Sequence, residues 1–200
     1  MAVRFEEPLD ATPLDPDEAQ GLIPSHITTR GQLNEWEQQN ILEGERWALA
    51  RKHRNLLSLE FLKQLHRRMF GRTWKWAGQF RTTEKNIGVD PTQIAVRVQE
   101  LMRDVRAQVE HRAYPPDEIA ARFHHRLVWI HPFPNGNGRV SRTMTDLLLI
   151  TLGVDPFSWG GENADLIGAG EIRDRYINAL RSADRGDFAP LLDFVRSGKP

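Results

Sequence analysis

The sequence predicts a mainly α-helical bundle that carries one short β-hairpin. Apolar residues recur at three- and four-residue spacing in one stretch after another from residue 30 to residue 197, which is the period of a helix with one buried face. A single interruption, WKWAGQFRTTEKNIGV at residues 74–89, mixes aromatic and β-branched residues without that spacing and reads as an irregular hairpin. At 200 residues the chain is long enough to bury about 70% of the surface its unfolded form exposes, so one core suffices without disulfide or metal staples.

The elements follow in order. Residues 1–24 are rich in Pro, Asp and Glu and are expected to be an extended tail, with a single domain over 25–200. Thr29 to Gln32 fits a capping box, and Leu33, Trp36, Asn40, Ile41 and Trp47 then define a first helix over about 29–53. Ser58 should cap a second, with Leu59, Leu62, Leu65, His66 and Met69 inward and Gly71 at its end. A lone hairpin is marginal in water, so residues 74–89 must rest on these helices. Ile94, Val98, Leu101, Val105 and Val109 mark a third helix, and after Pro115-Pro116 a fourth carries Ile119, Phe123, Leu127 and Ile130 up to His131. A loop follows, because Pro132 and Pro134 cannot continue the helix and Gly136 and Gly138 tolerate a tight turn. Helices over 139–152, 169–184 and 188–197 complete the chain.

Composition removes several classes of function. There is no cysteine, so thiol catalysis, thiolate-bound zinc and disulfides are excluded, and a cytoplasmic location is expected. No stretch is apolar and long enough to span a bilayer, and the acidic, proline-containing start lacks the pattern of a secretory signal. The 27 basic and 27 acidic residues balance, so no overall field favours nucleic acid or an anionic membrane. Arg51, Lys52 and Arg54, and Arg67 and Arg68, read as solvated surface, and the six tryptophans read as core.

Chemistry concentrates in HPFPNGNGRVSR, residues 131–142. A glycine loop entering a helix presents backbone N–H groups and the positive end of the helix dipole, a ready anion site. Gly136, Asn137 and Gly138 form that cradle, and Arg139 and Arg142, three apart, share one helical face where two guanidinium forks can clamp adjacent phosphates. His131 borders the loop as a candidate base. His124 shares its face seven residues earlier, but no nearby Asp, Glu or Cys completes a metal site, so it reads as a hydrogen-bonded core histidine.

These residues resemble the Fic (filamentation induced by cAMP) domain family, whose signature is His-Pro-Phe-x-(Asp/Glu)-Gly-Asn-Gly-Arg-x-x-Arg; His131, Phe133, Gly136, Asn137, Gly138, Arg139 and Arg142 fall in register. LEFLKQLHRRMFGRTWKWAGQFR upstream and YINALRSADRGDFAPLLDF downstream extend the resemblance over residues 30–196. It implies a Fic-type bundle that transfers AMP from ATP to a target protein's Ser, Thr or Tyr hydroxyl. His131 would be the base, Phe133 the loop anchor, and Gly136, Asn137 and Gly138 the cradle of the α- and β-phosphates. Arg139 would hold the β-phosphate and Arg142 the γ-phosphate, with Tyr176 at the adenine. The hairpin, through Thr82, Thr83, Ile87, Gly88 and Val89, would be the flap that docks the target by β-augmentation.

Two features stand apart from the signature. Asn135 occupies the place of the acid that holds Mg²⁺, and a neutral amide oxygen binds a hard cation more weakly. This leaves open a catalytically silent nucleotide-binding or interaction module with a mobile-element or toxin-like role, while Arg139 speaks against phosphate transfer. QNILEG at residues 39–44 resembles the family's inhibitory motif (Ser/Thr)-x-x-x-Glu-(Gly/Asn), which implies that Glu43, followed by Gly44, pairs with Arg142 and displaces a phosphate. Gln39 stands where that motif has Ser or Thr.

Overall fold

Caps and prolines place the helix boundaries close to where the spacing predicts them. The computed structural model describes residues 16–50, 53, 55–161, 166 and 170–198. The first fifteen residues of the expected tail, and Arg51, Lys52 and Arg54 of the basic run, lie outside these. The helices are α1 (Pro16–Ala19), α2 (Arg30–Leu49), α3 (Leu59–Phe70), α4 (Ile94–Glu110), α5 (Pro116–Ile130), α6 (Asn137–Thr151), α7 (Glu171–Ala183) and α8 (Ala189–Arg196), with one 3₁₀ turn at Pro91–Gln93. Thr29 and Gln32 form the predicted capping box of α2, and the Ser58 hydroxyl accepts from Phe61 N–H to start α3. No described helix is long and apolar enough to cross a membrane.

Two apolar clusters share α5 and α6. The larger is built from α2 to α6, with Leu33, Leu62, Met69, Val98, Phe123, Leu127 and Met144 buried together. The smaller packs Tyr176, Leu191 and Phe194 of α7 and α8 against Ala120, Ala121 and Leu149 on the other side of α5 and α6. The loop joining α5 to α6 is thereby tied to rigid elements at both ends, which is what a precise site requires.

The expected hairpin is not formed: among the described residues no β-strand occurs, and residues 81–90 run as an irregular loop. The reason is that Arg81 takes the place of a partner strand. Its backbone N–H donates to Pro132 O (2.9 Å), and its buried guanidinium donates to His131 O (2.7 Å), Thr83 O (2.8 Å) and Val89 O (2.5 Å). Backbone carbonyls that would face another strand are satisfied by one side chain instead.

The tail also departs from expectation where it is described. Lys75 N–H donates to Gly21 O and Ile23 N–H to Thr73 O, around an antiparallel bridge of Leu22 with Trp74. The Glu18 carboxylate then takes Thr83 Oγ1 at 3.0 Å and Lys85 Nζ at 2.5 Å. Residues 16–23 are therefore a strap laid along the irregular loop, because Glu18 finds a lysine whose side chain is only 2% exposed.

Candidate active site

The α5–α6 loop is held from inside by its own asparagine. Asn137 Oδ1 accepts from Phe133 N–H and Asn137 Nδ2 donates to Phe133 O, both at 2.8 Å. Phe133, fully buried, stacks on His66 with ring centres 3.8 Å apart, so it anchors the loop as expected. Gly78 N–H donates to His66 Nδ1 (2.9 Å), which leaves the hydrogen on Nε2 to reach Asn135 O (3.0 Å). Burial keeps His66 neutral, with its pKa lowered to about 3. Gly136 must be glycine on two counts: its φ is +79°, and a Cβ there would lie 2.5 Å from the Phe70 ring. As the N-cap of α6 it offers no side chain, so the helix presents its first N–H groups to a ligand.

His131 sits at the end of α5 in the left-handed region, φ 54°, a strained setting for a non-glycine residue and one that collects at functional sites. It is 6% exposed, and burial first, then the Arg81 charge, lowers its pKa to about 4. At neutral pH it is an uncharged imidazole able to accept a proton. Gly88 lets the loop close against it, since a Cβ on Gly88 would stand 2.8 Å from that of His131 and 2.5 Å from Arg81 Nη2.

The two arginines meet different surroundings. Arg139 Nη1 donates to Glu37 Oε2 at 2.8 Å, in a pair whose side chains are 14% and 8% exposed, and Nη2 donates to Asn135 Oδ1 at 3.2 Å. Glu37 is itself fixed by Trp74 Nε1 (2.7 Å). Arg142, partly exposed, lies within the fields of Glu45, Asp146 and Arg139, and burial of its charge lowers its pKa. Glu45 accepts from Thr143 Oγ1 (3.3 Å), and its own pKa is raised, chiefly by burial. Asp146 is raised to about 7 by burial, against the bonds it accepts from Trp159 Nε1 and Phe157 N–H.

Three expectations are corrected here. Glu43 does not meet Arg142: its carboxylate pairs with Arg72 at 2.8 Å, with side chains 53% and 68% exposed respectively. At about 100° per residue, Glu43 lies roughly 120° around α2 from Glu37, and it is Glu37 that points at α6. Gly44 is a packing residue, since a Cβ there would fall 2.6 Å from Met69 Cγ and 2.9 Å from Met69 N, so it allows α2 and α3 to cross closely. Tyr176 does not face a base: it is 4% exposed and its hydroxyl meets His124 Nε2 at 2.9 Å, which also bears out His124 as a hydrogen-bonded core residue. Of the flap residues, Thr82, Ile87 and Gly88 are exposed while Thr83 and Val89 are held by Glu18 and Arg81.

Asn135 does not fit a metal as arranged. Its Oδ1 accepts from Gly136 N–H (2.6 Å) and from Arg139, which uses both lone pairs of a neutral oxygen. Among the described residues no group of three His, Asp or Glu side chains could hold a cation. Sequence reading also missed Glu37, Glu45, Asp146 and Arg81. For Glu37 a signal existed, because it lies seven residues before Gly44 and so shares the buried face of α2.

The whole presents a neutral base, an open helix N-terminus and two cations within one turn. Against known proteins, residues 56–149 match the model of the Fic/DOC family. The protein adenylyltransferase Fic of Drosophila grimshawi is 30% identical over 144 residues, covering 70% of this chain and 28% of that protein. The protein adenylyltransferase fic-1 of Caenorhabditis briggsae is 29% identical over 153 residues, covering 74% and 28%. This chain thus spans under a third of the length of those relatives. Among solved structures, the Bartonella tribocorum effector BepC with bound AMPPNP superposes with a TM-score of 0.66 at 18% identity, over 90% of this chain and 95% of that one. The N-terminal Fic domain of a Bartonella quintana Bep effector with bound ADP gives 0.68 at 19% identity, over 86% of each. At these identities the structural likeness is one of fold.

Proposed function

Because the chain belongs to the Fic/DOC family, we propose that it is a protein adenylyltransferase that moves AMP from ATP to a hydroxyl of a target protein. The observation that carries this reading is the joint placement of His131 and the uncapped start of α6, with Arg139 and Arg142 one turn apart. Backbone N–H groups of Asn137 and Gly138 would cradle the α- and β-phosphates, that of Gly136 being donated to Asn135 Oδ1, while Arg139 would hold the β-phosphate and Arg142 the γ-phosphate. The target oxygen attacks the α-phosphorus, its proton passes to His131, the bond to the β-phosphate oxygen breaks, and pyrophosphate leaves. An extended target segment would dock along Thr82, Thr83, Ile87, Gly88 and Val89 through main-chain bonds.

The reading includes restraint by α2, exercised by Glu37 instead of Glu43. A carboxylate on Arg139 competes with a phosphate for the same fork, and Glu37 is placed there at 2.8 Å. Incubating the parent and Glu37→Gln with ATP labelled at the α- or the γ-phosphate tests the proposal. Protein-bound label is expected from the α-phosphate alone, and more of it in the variant. Retention of the γ-label would indicate phosphate transfer, and ATP binding with no label in either protein would indicate a silent nucleotide-binding module.

A further inference from the structure

Arg81 lies outside the loop and helix that would handle a nucleotide, yet all three nitrogens of its guanidinium are engaged. Nε donates to His131 O at 2.7 Å, Nη1 to Thr83 O at 2.8 Å and Nη2 to Val89 O at 2.5 Å. The residue is 3% exposed, so water does not compete for these bonds. One side chain thus joins the carbonyl of the candidate base to both ends of the segment 83–89.

The backbone repeats the pattern. A helix leaves its last carbonyls without intrahelical partners, and from the end of α5 onward three successive ones are taken by the same loop. Ile130 O accepts from Val89 N–H (3.3 Å), His131 O from Arg81 Nε, and Pro132 O from Arg81 N–H (2.9 Å). The left-handed turn at His131, φ 54°, is therefore held on both sides, which is how a strained residue is kept in place. Gly88 marks how closely the parts meet, since a Cβ there would stand 2.5 Å from Arg81 Nη2, 2.8 Å from His131 Cβ and 3.2 Å from Ile130 O. A lysine cannot do the same work: it offers one nitrogen where the guanidinium offers a rigid planar fork that reaches three carbonyls.

We propose that Arg81 is a positioning residue that locks the segment 83–89 and His131 into one unit, so that a hydroxyl presented along that segment arrives at a fixed distance from the base. The consequence for transfer rests on the reading given under the proposed function; the lock itself does not. Arg81 acts through the backbone it holds, so it sets the rate of transfer and not the affinity for nucleotide.

The test uses the full chain, Arg81→Lys and Gly88→Ala, with two readouts. Arg81→Lys keeps the charge and removes the fork, while Gly88→Ala keeps the arginine and puts a methyl group where its Nη2 stands. The first readout is hydrogen exchange of the Val89 amide without nucleotide, set against the amides of the buried Leu65 in α3 and Val98 in α4. Val89 should exchange about tenfold faster in both variants, as loss of a hydrogen bond to a charged group implies, with Leu65 and Val98 at the parent rate. The second readout is label incorporated into the protein from ATP labelled at the α-phosphate, at saturating ATP and per folded molecule, beside ATP affinity by calorimetry. A base displaced by about an ångström costs about a hundredfold, so incorporation should fall by about that factor in Arg81→Lys while ATP affinity stays within about twofold of the parent. Gly88→Ala should lose incorporation in the same way. An unchanged Val89 rate in Arg81→Lys, or in Gly88→Ala should the first variant not fold, overturns the lock. Faster Val89 exchange with incorporation at the parent rate overturns the positioning role, and so do equal losses of incorporation and ATP affinity. A parent that incorporates no label counts against the function proposed, while Val89 exchange still decides the lock.

Discussion

Arg139 and Arg142 stand one turn apart on α6 and meet different surroundings. Arg139 is ion-paired with the Glu37 carboxylate at 2.8 Å; Arg142 lies in the fields of Tyr176, Glu45 and Asp146. A carboxylate in direct contact competes with phosphate for the guanidinium fork, and one acting at a distance leaves the donors of the fork available. On the function proposed, the difference makes Glu37 a competitor at the first arginine and leaves the second open to ligand. Removing the Glu37 charge should therefore help a ligand at Arg139.

The largest effect breaks the site that both arginines serve. His131→Ala should lower AMP transfer by about 10²–10⁴-fold, the usual worth of a general base, while ATP affinity measured by calorimetry changes little, because the function proposed gives the binding to the loop and the arginines. Equal transfer in the variant would show that another group takes the proton.

Acid should weaken the frame next. His66, His124 and His131 have folded-state pKa values lowered to about 3, 3 and 4, below the 6.5 of the unfolded chain. As pH falls through 6.5 the unfolded state takes up protons that the folded state refuses, so stability drops as pH falls from 7 towards 4. The thermal midpoint should fall by several degrees between pH 7 and pH 5. Transfer, per folded molecule, should show no loss centred near 6.5, since His131 stays neutral there. A rate that halves at pH 6.5 would contradict the buried setting of the base.

Gly44→Ala tests the crossing that points Glu37 at α6. The added Cβ would meet Met69 backbone and side chain below 3.0 Å, and such overpacking costs about 1–3 kcal/mol. Denaturant unfolding reads this directly, and an unchanged midpoint would mean that α2 and α3 separate freely.

Much of this was legible in the sequence, and what was not has physical reasons. Caps at Thr29 and Ser58 and the break after Ile130 are local signals, and they fell within one or two residues of the observed ends. The hairpin failed because local composition around Thr82 to Val89 carries no information about Arg81, whose guanidinium satisfies carbonyls six residues apart in sequence. Glu43 failed because a short motif resemblance outweighed helical phase. The buried face of α2 runs through Leu33, Glu37, Asn40, Ile41, Gly44 and Ala48, and that register leaves residue 43 on the far side. The inward turn of the Tyr176 hydroxyl to His124 was not legible, since only tertiary structure brings α5 and α7 together.

A smaller effect sharpens the account of Asn135. In Asn135→Asp one oxygen can keep the bonds to Gly136 N–H and Arg139 while the second, charged oxygen is free for a hard cation. Mg²⁺ titrated into the nucleotide-free protein should bind a few-fold tighter to the variant than to the parent. No change would mean that residue 135 serves only to hold Arg139 and the turn.

The claim at the centre is that Glu37, and not Glu43, occupies the anion clamp. Calorimetric ATP titrations of the parent, Glu37→Gln and Glu43→Gln decide it side by side. The glutamine at 37 can still accept from Trp74 Nε1, so the fold is retained while the competing charge is removed. The account predicts ATP binding about tenfold tighter in Glu37→Gln and unchanged in Glu43→Gln, whose exposed pair with Arg72 is worth under about 1 kcal/mol. Tighter binding in Glu43→Gln, with Glu37→Gln at the parent value, would contradict it.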